Sequence, residues 1–216
     1  MKRLLSLILC AVMLVSFIGC TDNNVTPGTD NDAGTNTSNK KVELSRGKIE
    51  GDTYKSEYLG LEFTKPTSWV FSTDEEIASA MNLGSEMLGD KFKEAVEKNP
   101  SIYDMMVVDS ITRTNINISY ENLAKTLSTN ITEEQYLDAA KKQLAGVSGM
   151  TVKFSDKTEK VKLGENEYTK VTCTTTASGV SMTQVYYVRK VDKYMSVVIA
   201  TIVSGYTVDE IEAMFK

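Results

Sequence analysis

Alternating and helical spacings of apolar residues predict most elements of the chain. Alternation over 58–64 and 115–120 predicts strands, and in the second of these the apolar residues face inwards. Continuous apolar runs at 105–108 and 194–203 predict strands that are buried on both faces, so the second should lie centrally in its sheet. From residue 151 onwards, turn residues separate the strands of a long antiparallel meander.

Three capping boxes predict where helices begin. Each has a threonine at the N-cap and a glutamate or glutamine three residues later, so that each side chain can bond the other residue's backbone amide. The boxes start at Thr73, Thr132 and Thr207. Apolar spacing extends the first helix to Gly89, and a second apolar stripe follows it and ends at Asn99-Pro100.

These elements together predict the fold class. Residues 58–64 and 69–71 form a first strand pair around a turn at 65–68, because Pro66 cannot donate to a ladder. Helices, a second strand pair, a helix, the meander and a last helix follow. This order indicates an α+β fold, in which one antiparallel sheet has helices packed on both faces. We expect a single domain over 46–216.

The beginning of the chain has the pattern of a secretory signal. Lys2 and Arg3 precede an apolar run of about 15 residues, which is shorter than the ~20 that a spanning helix needs. Residues 17–20 resemble the bacterial lipobox, in which a peptidase cuts before a diacylglycerol-modified cysteine, although Phe17 stands where the lipobox usually has leucine. We therefore expect cleavage after residue 19 and lipidation of Cys20. An ordinary secretory signal with an incidental cysteine is the alternative.

The segment 20–45 is predicted to be a flexible linker. After the cysteine it is rich in Asn, Thr, Asp and Gly and has almost no bulky apolar residue, so it cannot bury enough surface to order itself. A coil of about 25 residues reaches roughly 25–30 Å. The domain is then expected in the cell envelope, outside the cytoplasm and held on the membrane by the lipid on Cys20.

Composition excludes several classes of function. The formal charge is −5 and becomes −7 without the signal, and there is no basic stripe, so nucleic acid is not an expected partner. The chain has no histidine, which removes Ser-His-Asp and Cys-His nucleophiles and the usual zinc sites. Cys173 would be alone in the mature chain, and we expect it to be buried and inert. We expect no cofactor and no metal.

Two stretches resemble PsbP-like domains. The first is the pattern Tyr-x-Gly-Leu-Glu-Phe-x-x-Pro-x-x-Trp over 58–69, followed by an acidic capped helix. The second runs from the Leu163-Gly164 turn through the strand at 184–187 and an apolar strand to the capped helix after Gly205-Tyr206. The resemblance spans roughly 56–216. It implies an antiparallel sheet between helical layers that serves as an interaction module, as in an extrinsic subunit of the photosynthetic oxygen-evolving complex and in a Ran-binding protein. It implies no catalytic residue.

The favoured hypothesis is a membrane-tethered, non-enzymatic module, expected to be monomeric, that binds an unidentified protein. Strand alternation sends one tyrosine of the Tyr186–Tyr187 pair outwards, and with Arg189 it would form part of the binding surface. Trp69 is expected in the core. The alternatives are a lipoprotein that binds a small ligand in a cleft and, less favoured, an envelope hydrolase that uses carboxylates only, since helix capping explains the acidic pairs at 75–76 and 133–134.

Overall fold

The computed structural model describes residues 42–216, and these form two antiparallel sheets with helices. The predicted signal, Cys20 and the linker up to residue 41 lie outside the described residues. The strands are β1 (Lys48–Glu50), β2 (Thr53–Ser56), β3 (Leu61–Thr64), β4 (Trp69–Phe71), β5 (Ser101–Asp109), β6 (Asn115–Asn122), β7 (Met150–Phe154), β8 (Glu159–Leu163), β9 (Asn166–Ala177), β10 (Val180–Val191) and β11 (Tyr194–Ile202). The α-helices are α1 (Asp74–Ala80), α2 (Phe92–Lys98), α3 (Leu123–Thr126), α4 (Glu133–Leu144) and α5 (Val208–Glu212).

The main sheet has the strand order β4-β5-β6-β11-β10-β9-β7, and β8 pairs with β9 beside β7. Every pair in it is antiparallel. All nine residues of β11 are buried, which confirms the prediction of a doubly covered central strand. The long hairpin of β9 and β10 turns at Ser178 and Gly179, both at positive φ, as the turn residues predict.

Both faces of the main sheet are covered. One face packs against α1, α2, α5 and the small sheet in what we call the large core, which contains Phe63, Ile77 and Val198. The other face packs against α4 in what we call the α4 core, where Leu137 and Leu144 meet strand residues such as Val197. The α+β fold with helices on both faces is therefore confirmed. No helix within 42–216 is long and apolar enough to cross a bilayer.

The first predicted strand pair is wrong. The strand β3 lies in a separate small sheet of order β1-β2-β3, whereas β4 lies in the main sheet beside β5. The two strands pair with other segments, β3 with β2 and β4 with β5. The C-terminal residue closes on the free edge of β3, because Lys216 N donates to Glu62 O at 2.8 Å and Glu62 N donates to Lys216 O at 3.1 Å.

All three capping boxes form, at Thr73, Thr132 and Thr207. The first helix is nevertheless shorter than predicted, since α1 ends at Ala80. Asn82 has a φ of +54°, and Leu83 N donates to Ala78 O at 2.9 Å. This is a Schellman-type ending, which satisfies the last carbonyls of the helix and turns the chain away from its axis.

Candidate functional site

The predicted surface around Tyr186, Tyr187 and Arg189 is not a surface. Tyr186 and Tyr187 are 3% and 0% exposed, so the expectation that one of them points to solvent is wrong. Both faces of the sheet are covered, so consecutive residues of β10 are buried on opposite sides. Tyr186 lies in the α4 core and Tyr187 in the large core. The guanidinium of Arg189 is also engaged, since its Nη1 donates to Leu59 O at 2.7 Å.

Two further sequence predictions are confirmed. Trp69 is 1% exposed, and its Nε1 donates to the Tyr206 hydroxyl at 2.8 Å. Cys173 is 2% exposed, and burial raises the pKa of its thiol to about 11. Neither residue is available to a partner from the surface.

The polar residues of β6 are buried as well as its apolar ones. Ile116, Ile118 and Tyr120 face the large core, as the alternation predicts. The other parity lies on the α4 face and is at most 6% exposed. It consists of Asn115, Asn117, Ser119 and Glu121. The alternating pattern did not predict this burial, because the polar residues of an alternating strand usually face solvent. Here the helix α4 covers them.

A small cavity surrounds Glu121 beneath α4. Its volume is about 20 Å³, which is room for one water-sized particle. Polar side chains from four elements line it together with Ala140, Val197 and Ile199. The polar residues are Ser101 and Tyr103 of β5, Ser119 and Glu121 of β6, Tyr136 of α4 and Tyr186 of β10.

The carboxyl group of Glu121 is the least satisfied charged group at this site. The residue is 4% exposed, and its Oε2 has no hydrogen-bond partner among residues 42–216. Burial raises the pKa of Glu121 from 4.5 to about 7, and a hydrogen bond from Tyr136 opposes that rise. A group with this pKa exchanges its proton near neutral pH, which is unusual for a carboxyl group.

Further along the same face, polar side chains satisfy one another. Gln184 Oε1 accepts from Thr175 Oγ1 at 2.7 Å, and Gln184 Nε2 donates to Thr201 Oγ1 at 3.2 Å. Tyr186 OH also donates to Gln184 Oε1, at 3.4 Å. The polar face therefore extends from β6 across β11 and β10 to β9. On β6, Asn117 Oδ1 and Glu121 Oε2 have no hydrogen-bond partner within 42–216.

A second feature is the tip of the hairpin between β5 and β6, which we call the β5–β6 tip (residues 109–114). Its Ile111 is 78% exposed, and Val70 on the neighbouring β4 is 57% exposed. The turn is firmly built, because Asp109 accepts from Ile111 N at 3.1 Å and from Thr112 Oγ1 at 2.6 Å. The tip thus presents an apolar side chain on an ordered loop.

Two shallow grooves also lie on the surface of the described residues. One, of about 480 Å³, runs along the outside of α4 beside Ile131 and Lys142. The other, of about 390 Å³, lies between Val42 and the β10–β11 turn at 192–194. Neither is enclosed. Within 42–216 no group of three or more Cys, Asp or Glu side chains is arranged to hold a metal ion.

Comparison with known proteins gives little. No protein-family model matches the chain, and no curated protein matches it. A crystal structure of a protein from Bacteroides thetaiotaomicron is similar with a TM-score of 0.42 and 13% identity, over 78% of this chain and 48% of that one. The chain thus spans about half the length of that structure. No family membership follows, and the resemblance to PsbP-like domains stays a prediction.

Proposed function

We propose that the protein is a lipid-anchored module of the bacterial cell envelope that binds another protein through the β5–β6 tip and catalyses no reaction. The anchor is the lipidated Cys20 predicted from the sequence. The observation that carries the proposal is the position of the tip relative to the point where the N-terminal segment enters the domain.

The N-terminal segment enters at one end of the main sheet. Val42 lies in the same groove as Tyr58 and the turn at 192–194, where β11 begins. The strand β11 runs from there to Ile202, which is about 27 Å for its length at the usual rise per residue. At its far end, Ser204 O accepts from Thr114 Oγ1 of the tip at 3.0 Å. A tether at residue 42 would therefore attach at the end of the main sheet opposite the tip.

The tip has the properties of a contact surface. Its backbone is fixed by Asp109 and by Ser110, whose Oγ donates to Ser68 O at 2.8 Å. A pre-ordered loop loses little conformational entropy when it binds, so a modest apolar contact can suffice. Tethering near a membrane raises the effective concentration of such a module and compensates for a small interface.

The test is site-specific photocrosslinking of the full chain in its native envelope. A photoreactive residue at position 111 should capture one defined protein, whereas the same residue at the exposed position 165, in the β8–β9 turn, should not. Ile111→Asp combined with Val70→Asp should abolish the product when the probe is moved to position 112. Cys20→Ala should release the protein from the membrane fraction.

The opposite results are equally clear. A crosslinked product that persists in the double aspartate variant would exclude the tip as the contact surface. Membrane retention of Cys20→Ala would exclude the anchor. Turnover of an envelope substrate by the purified protein would overturn the binding-module proposal altogether.

A small-ligand function has one observation in its favour, the polar cavity at Glu121. Pockets for organic ligands usually measure about 300–1,000 Å³, whereas this cavity measures about 20 Å³. An organic ligand does not fit there unless α4 moves away. A single ion does fit.

A further inference from the structure

We propose that the cavity beneath α4 binds one monovalent cation of about the size of a water molecule, held by the carboxylate of Glu121. This site is separate from the β5–β6 tip, and the proposal does not depend on the binding-module function.

The first argument is charge. A buried charged group is normally paired with an opposite charge or gives up its charge. The lining of the cavity contains Glu121 but no lysine or arginine among the described residues. Its Oε2 is buried and has no hydrogen-bond partner within 42–216. A cation in the cavity would supply both the missing charge and the missing contact.

The second argument is the chemistry of the lining. Besides the carboxylate, it offers the hydroxyl groups of Ser101 and Ser119 and the phenols of Tyr103, Tyr136 and Tyr186. Oxygen atoms are the ligands that hard cations prefer. The three aromatic rings add an attraction for positive charge where they present their faces. The set therefore suits a cation better than an anion or an apolar ligand.

The third argument concerns charge number and size. Glu121 is the one acidic residue in the described lining, so a monovalent ion neutralises it, whereas a divalent ion would leave a buried positive charge. A volume of about 20 Å³ holds one particle of water size. Potassium and ammonium ions have that size, whereas hydrated ions and organic ammonium groups are larger.

Protons should compete with the cation for Glu121. The groups that face it are Tyr136 from α4, Tyr103 from β5 and Tyr186 from β10, while β11 contributes only Val197 and Ile199. Burial raises the pKa of Tyr136 and Tyr186 above their usual value, so these two phenols stay neutral. Protonation of the Glu121 carboxylate would remove the negative charge that holds the ion. Cation binding should therefore be stronger at about pH 8 than at about pH 5.

The test measures the melting temperature of the full chain in detergent with different chloride salts at equal ionic strength. Potassium or ammonium at about 0.2 M should raise it by about 2–4 °C over N-methylglucamine at about pH 8, and by less than about 1 °C at about pH 5. Glu121→Gln, which keeps the shape of the side chain, should lose this response. Glu165→Gln, on an exposed turn, should retain it.

Equal melting temperatures in all salts at about pH 8 would overturn the proposal and leave water as the occupant. The same potassium response in Glu121→Gln as in the wild type would overturn it too, because the ion would then bind elsewhere. Anomalous diffraction from crystals grown in rubidium or thallium(I) salts gives an independent answer. An anomalous peak beside the Glu121 carboxylate supports the site. A map in which the protein is well ordered and no such peak appears contradicts it.

Discussion

Two buried acids lie on neighbouring strands of the same sheet and face opposite layers. Asp104 of β5 points into the large core and is 1% exposed, and Glu121 of β6 points into the α4 core and is 4% exposed. Both lose their hydration on folding. The protein satisfies the first completely and the second only in part.

Asp104 is surrounded by donors. Its Oδ2 accepts from Tyr54 OH at 2.6 Å and from Tyr120 OH at 3.1 Å, and its Oδ1 accepts from Gly47 N at 2.9 Å. The guanidinium of Arg46 lies 3.8 Å from Oδ1. Burial raises the pKa of Asp104, and these hydrogen bonds and the charge of Arg46 oppose the rise. The cluster ties the first described residues to the core.

Glu121 accepts a hydrogen bond from Tyr136, but its Oε2 has no hydrogen-bond partner within 42–216, and no lysine or arginine of these residues lines the cavity. The comparison teaches that burial alone does not identify a functional acid. An acid that is buried and fully paired holds elements together, whereas an acid that is buried and partly paired beside a cavity is available for a ligand.

The largest expected effect comes from removing the paired acid. Asp104→Ala should lower the free energy of unfolding by about 3–5 kcal/mol, because it removes the buried carboxylate that accepts from Tyr54, Tyr120 and the Gly47 amide. Urea unfolding followed by the fluorescence of Trp69, the single tryptophan, measures it. Asp104→Asn keeps an acceptor and should lose less. A loss below about 1 kcal/mol for the alanine variant would show that this cluster is not structural.

The second effect has the opposite sign. Burial raises the folded pKa of Glu121 from 4.5 to about 7. Its ionisation therefore costs no stability below about pH 4.5, and the cost grows as the pH rises towards 7. Glu121→Gln removes this cost. The variant should match the wild type at about pH 4 and exceed it by about 3 kcal/mol at about pH 8, in buffer without potassium or ammonium.

Its control is the conservative change Glu165→Gln, which should leave the pH dependence as in the wild type. Adding potassium should narrow the gap between Glu121→Gln and the wild type at about pH 8, because only the wild type would bind the ion. A variant that is less stable than the wild type at both pH values would show that Glu121 is paired after all.

Local rules in the sequence account for most of the fold. The capping boxes at Thr73, Thr132 and Thr207 form as predicted, because their hydrogen bonds are made within four residues. The central strand at 194–202 follows from its apolar residues on both parities. What failed was pairing between distant segments. β3 pairs with β2 on one edge and with residues 214–216 on the other, and no local sequence pattern predicts the second contact.

The candidate site could not be predicted for the same reason. One tyrosine of the Tyr186–Tyr187 pair was expected at the surface, and the alternate polar residues of β6 gave no sign of burial. Local patterns do not show that α4 covers this face of the sheet. The one available signal was Glu121 itself, an acid two residues after Ser119 in a strand next to the central one. Only the three-dimensional arrangement shows that its Oε2 is unpaired.

A third, smaller effect tests the hydrogen bond from Tyr136 to Glu121. Tyr136→Phe removes the donor and should cost about 2 kcal/mol at about pH 8, where the carboxylate is charged, and about 1 kcal/mol at about pH 5. Tyr186→Phe is the matched control, because its hydroxyl donates to Gln184 at 3.4 Å and not to an ionisable group. It should cost about 1 kcal/mol or less at both pH values. Equal pH profiles for the two variants would contradict the Glu121–Tyr136 bond.

The smallest effect should come from Cys173, which lies on β9 in the α4 core. Its Sγ lies 3.7 Å from Thr175 Oγ1, and burial raises its pKa to about 11, so it is a neutral thiol throughout the range in which Glu121 titrates. Cys173→Ala should therefore lower the free energy of unfolding by about 1 kcal/mol, equally at about pH 5 and pH 8.

The Cys173 thiol should react slowly with a thiol reagent in the folded protein and rapidly in denaturant, since the thiolate is the nucleophile and the side chain is buried. If the stability of Cys173→Ala showed the same pH dependence as that of Glu121→Gln, the packing of α4 as a whole would cause the pH dependence. The contrast between Asp104 and Glu121 would then be wrong. If the pH dependence is confined to Glu121→Gln and Tyr136→Phe, it arises from the single unpaired carboxylate, as the geometry of the cavity requires.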